Sequence, residues 1–535
     1  MILKRTLKSL VAVVGGALIC STPLAAQEYF KDYQLVENSS AWLTSCNPVG
    51  LLHLKENISE AQVYFLKDNG DFIHTFESDN SYTFGVNAKS LFRINDKVVV
   101  NGHIDYRNYT GQNHTGSVYV DPLVVPFDIV EMNPLNAGKA TLSEYLLGAQ
   151  IGVALTNRLS LGGTIEFNAT DLVKIKDLRH STTLSELEAG VGLSYKIGSK
   201  IELGAKYSYK QRIEDVSFGV YGISNELYEL LISYGSFWGE KEVYEQGKLT
   251  NGYYANPLID ITHTLGAQIS YDITPNITLY AQANYGMLSG QYGVNSSTRI
   301  IYYEHHSTLM DGNIWLQINA NNLKHRVKLS GWSEELTNYE NNYLENSQNG
   351  MTSITYLDPS LCGTRIQSKL SGSYSLEIYK RHNLPLYTLN AAAKRSTLNQ
   401  TAILYPYYRT SNIEYNEFEV GAKRNWWLNN KNVLGLSLFA HYQSGDGTPI
   451  NDGTYVATTG SASYIQYDEL QLKEFEYYTA EQLLASASLK YSHNFSKGRV
   501  GYIEASYAHK MALSTLQYLD SCPTTNFTLR CGFTF

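Results

Sequence analysis

The links between apolar-alternating segments of this chain take turns being very short and long. Turn-forming short links fall at Asn95-Asp96, Asn157-Arg158, 198–200, 274–276, 320–323, 380–383, 429–432 and 496–498. Between them lie longer polar links, and those at 111–143, 214–256, 339–364 and 447–480 are very long. The segments they join have period two. In VVVNGHIDY, Val100, Gly102, Ile104 and Tyr106 share one face, and Asn101, His103, Asp105 and Arg107 share the other. KIELGAKYSYK sets Leu203, Ala205 and Tyr207 against Glu202, Gly204 and Lys206, and ITLYAQANYG sets Ala281 against Gln282. Such segments are half-wet strands. A soluble sandwich has no reason to alternate its link lengths along the whole chain. An up-and-down membrane barrel does, because parity puts every short turn on one side and every long loop on the other.

The ends of the chain agree with that reading. MILKRTLKSL carries Lys4, Arg5 and Lys8, LVAVVGGALIC is apolar, and STPLAAQ offers a cut after Ala26. This is the three-part layout of a secretory leader. Beyond it no apolar stretch approaches the roughly 20 residues of a membrane helix. At the far end NFTLRCGFTF places Phe527, Leu529, Cys531, Phe533 and Phe535 on one face and Arg530 on the other. It reads as the strand that closes the barrel against the first. It is similar to the C-terminal signal, here Phe533 and Phe535, that outer-membrane proteins present to their insertion machinery.

Composition narrows the partners. The chain has 43 Tyr against 17 Phe, and a ring with a polar tip suits a membrane interface. Aromatics recur near both strand ends: Tyr195, Tyr271, Tyr379, Trp426, Trp427 and Phe495 at one, Tyr106, Phe167, Tyr209, Trp332, Tyr442 and Tyr507 at the other. These are expected to form two interfacial girdles. The net charge of −8 deepens once the basic leader is cut, which argues against nucleic acid. Cys46, Cys362, Cys522 and Cys531 are too few for a disulfide framework. Cys362 and Cys522 are expected in outer loops.

Together these features predict an all-β protein: a single transmembrane, up-and-down antiparallel barrel of about eighteen strands, with sixteen the alternative. Residues 1–26 form the leader, 27–58 a periplasmic hatch segment and 59–535 the barrel. The long loops are extracellular, and the expected partners are outer-membrane lipid and the insertion machinery. On the polar face Asp105, Arg107, Glu202, Lys206, Gln282, Lys369 and Glu377 are expected to line the lumen, with neither sign of charge dominant.

Asn47-Pro48-Val49-Gly50-Leu51 resembles the Asn-Pro-Ala-Gly-Leu motif in the hatch of long-chain fatty-acid transporter barrels, with Val49 in place of the family's Ala. The resemblance implies that Asn47, Pro48 and Gly50 shape a plug in the lumen; a plain Asn-Pro turn capping a short helix is the simpler reading. The mature chain also resembles an uncharacterised family of Bacteroidota-type outer-membrane barrels, through its Tyr-rich strands, NPVGLL, YTFGVNAKS and the closing strand. That family implies localisation and fold but no activity.

Signals for chemistry are poor. Gly-x-Ser-x-Gly, phosphate-binding glycine loops and Cys-x-x-Cys are absent from the sequence, and no cofactor is expected. Glu304-His305-His306 reads as a solvated loop, since adjacent strand histidines face opposite ways. SGDGTPINDGT, 444–454, reads as a loop tip without calcium-loop spacing. The expected function is a channel or transporter for small solutes across the outer membrane, not an enzyme. The alternative is a surface-scaffold or export-associated barrel binding a surface or periplasmic protein, and a membrane-embedded hydrolase is a third reading.

Overall fold

The computed structural model describes residues 30–535 apart from 132, 222–224, 251–255, 297–298, 349–350, 381–382, 458–464 and 497. The leader, 1–26, lies outside the described residues. Eighteen antiparallel strands, from Ile58–Asn69 to Thr524–Thr534, each pair with the next, and the last pairs with the first. The barrel is closed. At the seam the backbones of Ser59 and Phe535 exchange two N–H···O bonds of 2.9 Å. Closure leaves no strand edge unpaired, which a hydrocarbon environment requires.

The alternation read in the sequence becomes the two faces of the wall. Ile104, Ile165, Val191, Leu265 and Leu370 are 53–64% exposed and point outward, an apolar belt that only lipid can cover. In strand Arg179–Ile197 the belt runs from Leu187 to Ile197, matching the roughly 9–11 residues of a tilted membrane strand. Glu202, Ser208 and Gln268, each one position from outward-facing Leu203, Tyr207 and Ile269, are buried on the inner face. No described helix is long and apolar enough to cross a membrane.

Several expectations are corrected. Glu304-His305-His306 lies within strand Arg299–Ala320, and 444–454 within strand Asn432–Thr454. Polar hairpins here continue the paired wall beyond the apolar belt, so polarity marks exposure to water and not a break in the strand. Leu404 and Tyr407 pair directly across a two-residue link at the end where a long one was expected. Cys362 is no loop residue: it sits in strand Ser360–Ile378, buried, with its thiol donating to the Asn338 carbonyl at 3.3 Å. Three girdle aromatics face inward. Trp427 packs with Phe30 and Val433, Tyr379 donates to Glu377 at 2.6 Å, and the Lys369 ammonium lies over the Trp332 ring.

Candidate functional site: a lumen closed at both ends

The short-turn end is filled by the segment that precedes the first strand. Asp32 caps helix Tyr33–Glu37 by accepting from Leu35 N, and Asn47 caps the 3-10 helix Pro48–His53 by accepting from Val49 N at 3.2 Å. Pro48 suits the first helical position, where no N–H is needed. The same Asn47 amide reaches the wall. Its Nδ2 faces Gln268 Oε1 at 2.9 Å and the Ala205 and Leu193 carbonyls at 3.1 and 3.3 Å.

The wall is hollowed to receive this turn. Gly152 pairs with Gly162, and Gly162 with Gly192, so three glycines form one row across adjacent strands. A Cβ on Gly192 would overlap the Asn47 amide and lie 2.9 Å from Pro48 Cδ; one on Gly162 would lie 2.9 Å from Val49 N. Close approach of two backbones is what glycine permits. The Cβ of Gly50 would overlap the Trp42 carbonyl, so the turn is also tight against its own chain.

Further contacts spread around the ring. Trp42 donates to Ser270 Oγ at 2.9 Å, stacks on His53 at 5.5 Å and meets Tyr280 edge-on at 5.4 Å. His53 faces Glu202 at 3.1 Å, and Ser194 donates to the other oxygen of Glu202 at 2.7 Å. Arg93 donates to the carbonyls of Leu52 and Leu54. Arg326 donates to the Asn38 carbonyl at 3.0 Å and pairs with Glu377. The Lys490 ammonium lies 3.8 Å from Asp32. Burial opposes the charge on Asp32, but Lys490, Lys423 and nearby backbone N–H groups outweigh it and hold its carboxyl below the usual range.

The opposite end is closed by different means. The links between strands supply a five-stranded sheet from Gly116–Ser117, Asp128–Glu131, Glu229–Gly235, Trp238–Val243 and Ile465–Gln466, followed by helix Asp468–Thr479. Its apolar core joins Ile129, Leu230, Ile232 and Trp238 to wall residues Tyr292, Tyr303 and Cys362. The hairpin tip, Ser236-Phe237, has φ of 53° and 49°, a strained choice for two residues with side chains. It is held there by Gln400 and Ser411 of the wall. Four buried wall cations clamp the lid. Lys174 pairs with Glu131, and Arg212 pairs with Glu214, which accepts from Val120 N at 2.7 Å. Arg365 donates to the Val125 carbonyl at 2.8 Å, and Arg409 reaches Asp468 at 2.8 Å. Burial lifts the Asp128 carboxyl to about 8 and that of Glu474 to about 7, and lowers the neighbouring His74 to about 4.

Between the two closures the wall carries ion pairs. Lys206 faces Glu188 at 3.5 Å, Lys210 faces Glu186 at 2.9 Å, and Arg107 pairs with Glu144. Asp105 accepts from Asn87 at 2.8 Å, and Gln282 accepts from the Tyr280 hydroxyl at 2.9 Å. The Arg107 side chain is 46% exposed and that of Lys210 42% exposed. Both share the polar face of their strands, so they face the interior of the barrel without being packed over. The segment before the first strand is flanked by cavities of about 620 and 580 Å³. The Phe533 ring lies tilted against those of Phe535 and Phe495 at the seam, with centroids at 6.1 and 6.0 Å.

Of the residues singled out from sequence, Asn47 and Pro48 meet the wall at Gly192, Gly50 packs against Trp42 and Ser45 of its own segment, and Glu202 and Glu377 bind residues of that segment or their partners. Lys369 stands apart over Trp332. The glycine row and the four lid cations were not singled out. The row carries a signal, since Gly152, Gly162 and Gly192 all fall in polar phase near short turns; the cations do not.

A family model matches residues 48–535, and its description is a family of unknown function, DUF6850. The chain belongs to that family. No curated protein matches its sequence. Among solved structures, the ferric preacinetobactin receptor BauA of Acinetobacter baumannii aligns over 90% of this chain and 80% of its own, at 10% identity and TM-score 0.40. A Pseudomonas aeruginosa FadL homologue aligns over 91% and 92%, at 11% identity and TM-score 0.32. The CymD monoaromatic hydrocarbon channel aligns over 91% of each chain, at 10% identity and TM-score 0.32. Likeness this distant carries no argument about function.

Proposed function

We propose that the protein is a gated outer-membrane channel or transporter for small solutes, closed at rest, with its lid toward the exterior and its hatch toward the periplasm. One observation carries this reading: exposed charged side chains such as Arg107 and Lys210 line the inner face of the wall between two closures of unlike construction. A barrel serving only as a membrane anchor needs neither a charge-lined interior nor two seals. The hatch is held by hydrogen bonds distributed around the ring, each worth about 1 kcal/mol net, and by three small, separate apolar clusters around Phe30, Leu51 and Trp42; with no single continuous core, it is the element suited to move. The lid rests on an apolar core and is the stiffer of the two. In this reading the inner-face residues Asp105, Arg107, Glu202, Lys206, Gln282, Lys369 and Glu377 line the path, and Phe533 and Phe535 address the insertion machinery. No catalytic step is assigned.

The solid core of the lid favours a second reading, a surface scaffold or export-associated barrel whose lumen never opens. Planar-bilayer conductance separates the two. Deleting Lys31 to Glu56 removes the hatch, and Ile129→Asp places a charge in the lid core. The gated-channel reading expects each variant alone to conduct little and the combination to conduct steadily. If the combined variant folds, migrates as a heat-modifiable barrel and is silent, the scaffold reading replaces it.

A further inference from the structure

The cavity of about 620 Å³ beside the hatch helix differs in charge from the rest of the protein. Five cations and three anions line it: Lys31, Arg326, Lys328, Lys423 and Lys490 against Asp32, Glu377 and Glu419. Each anion already has a partner. Asp32 faces Lys490, Glu377 pairs with Arg326, and Glu419 pairs with Lys394. Lys31 donates to the Asn57 carbonyl at 2.9 Å. Lys328 and Lys423 are left with no ion pair among the described residues, and Lys328 is exposed to the cavity. Lys423 and Lys490 share the single carboxylate of Asp32, so with Lys328 the recess carries an excess of positive charge in a chain of net charge −8, which favours an anion there.

Their spacing brackets that place. Register links Lys328 to Ser373, Ser373 to Ala392 and Ala392 to Glu419, so the two lysines stand on strands three apart. Strand spacing puts them roughly 14 Å apart across the wall, and the four residues from Glu419 to Lys423 add roughly 13 Å along it, a span of roughly 20 Å that two extended lysine side chains with a hexose-sized anion between them bridge. The surface between them carries Ser373, Ser375, Asn390 and Ser437, which offer hydroxyl and amide partners, and Phe439, which offers a ring face. The volume falls within the roughly 300–1,000 Å³ of small-molecule sites.

We propose that this cavity binds a small hydroxyl-rich anion: a sugar bearing a carboxylate or a phosphate. The proposal deepens the transport reading and rests on it for its role, but its test does not depend on conduction. Purified full-length protein is titrated calorimetrically with glucuronate, glucose 6-phosphate and glucose. One or both anions bind, the better of the two naming the charged group, and glucose binds at least about tenfold more weakly. Lys328→Gln combined with Lys423→Gln weakens anion binding at least about tenfold and leaves glucose unchanged, while Lys473→Gln on the lid helix changes nothing. Heat-modifiable mobility confirms that each variant is folded. Equal binding of glucose and the anions, no binding of either anion, or an unchanged double variant overturns the proposal. Anion binding by a protein that never conducts keeps the site and sinks the transport role; conduction without anion binding does the reverse.

Discussion

The glycine row makes a sharp demand on the hatch. In Gly192→Ala the new methyl overlaps the Asn47 amide oxygen and crowds Pro48 Cδ at 2.9 Å. Two responses are open. Asn47 can leave, giving up its bonds to Val49 N, Gln268, Ala205 and Leu193, about 3–4 kcal/mol at about 1 kcal/mol each. Otherwise turn and wall can shift apart under overpacking strain of about 1–3 kcal/mol. The cheaper response sets the effect, and each 1.4 kcal/mol is about tenfold in population. The undocked hatch therefore rises about ten- to a hundredfold. Cys46 reports it. Its thiol lies half-buried, 3.5 Å from Asn284 and 3.8 Å from Gln268, and burial pushes its ionisation up, which slows alkylation. Alkylation of Cys46, read peptide by peptide against Cys522, should accelerate by that factor. Gly163→Ala is the control on the opposite face, where the new methyl meets Ile151 at 3.8 Å and Gly190 O at 3.9 Å, ordinary contact distances. Folded Gly192→Ala protein with wild-type Cys46 reactivity, or Gly163→Ala protein with the same acceleration, refutes the docking argument.

Ala281→Arg turns a charge toward lipid and should cost roughly 2–4 kcal/mol near mid-membrane, whereas Gln282→Arg turns it inward; equal urea midpoints in lipid vesicles would overturn the phase of strand Ile277–Ser296. Deleting Phe535 removes both seam bonds to Ser59 and should lower outer-membrane levels of folded protein, which normal amounts of heat-modifiable band would contradict. Lid stability should respond to pH. Glu474 and Asp128 keep their protons to about 7 and 8 against ordinary values of 4.5 and 3.8, so the folded lid binds more protons and is weakened as pH rises. His74, lowered to about 4 from 6.5, acts oppositely but only below 6.5. Amide exchange of helix Asp468–Thr479, corrected for intrinsic rate, should therefore quicken between pH 6.5 and 8, and quicken less in Glu474→Gln; a flat profile would contradict the assignment.

The barrel was legible because a closed sheet writes itself locally. Each strand repeats the same two-residue code, and parity orders the links without reference to distant contacts. The segment before the first strand was half legible: Asn47-Pro48 announces a cap, but that its amide also reaches the Leu193 and Ala205 carbonyls depends on which strands the turn meets in space. The lid was hidden. Residues 229–243 have no long apolar run, and their core is completed by Tyr292, Tyr303 and Cys362 from strands far along the chain. Trp332 and Trp427 misled because an aromatic near a strand end satisfies the girdle pattern in either phase, and only its neighbours' parity tells lipid from lumen. Polar hairpins misled in the same way, since a strand standing in water alternates no apolar face.

The hatch runs directly into the seam strand, and that continuity decides how the molecule bears a pull. Traction on the chain at Phe30 meets the hatch contacts one after another, first Asn383, then Lys490, then Arg326 and Ser270. They are loaded in series and peel singly. The same traction reaches strand Ile58–Asn69 along its axis, where the ladders to both neighbours share the load in parallel from Ile58 to Asn69. The segment is thus a tether whose contacts, polar and apolar, give way cluster by cluster, fixed to a wall whose ladders resist together.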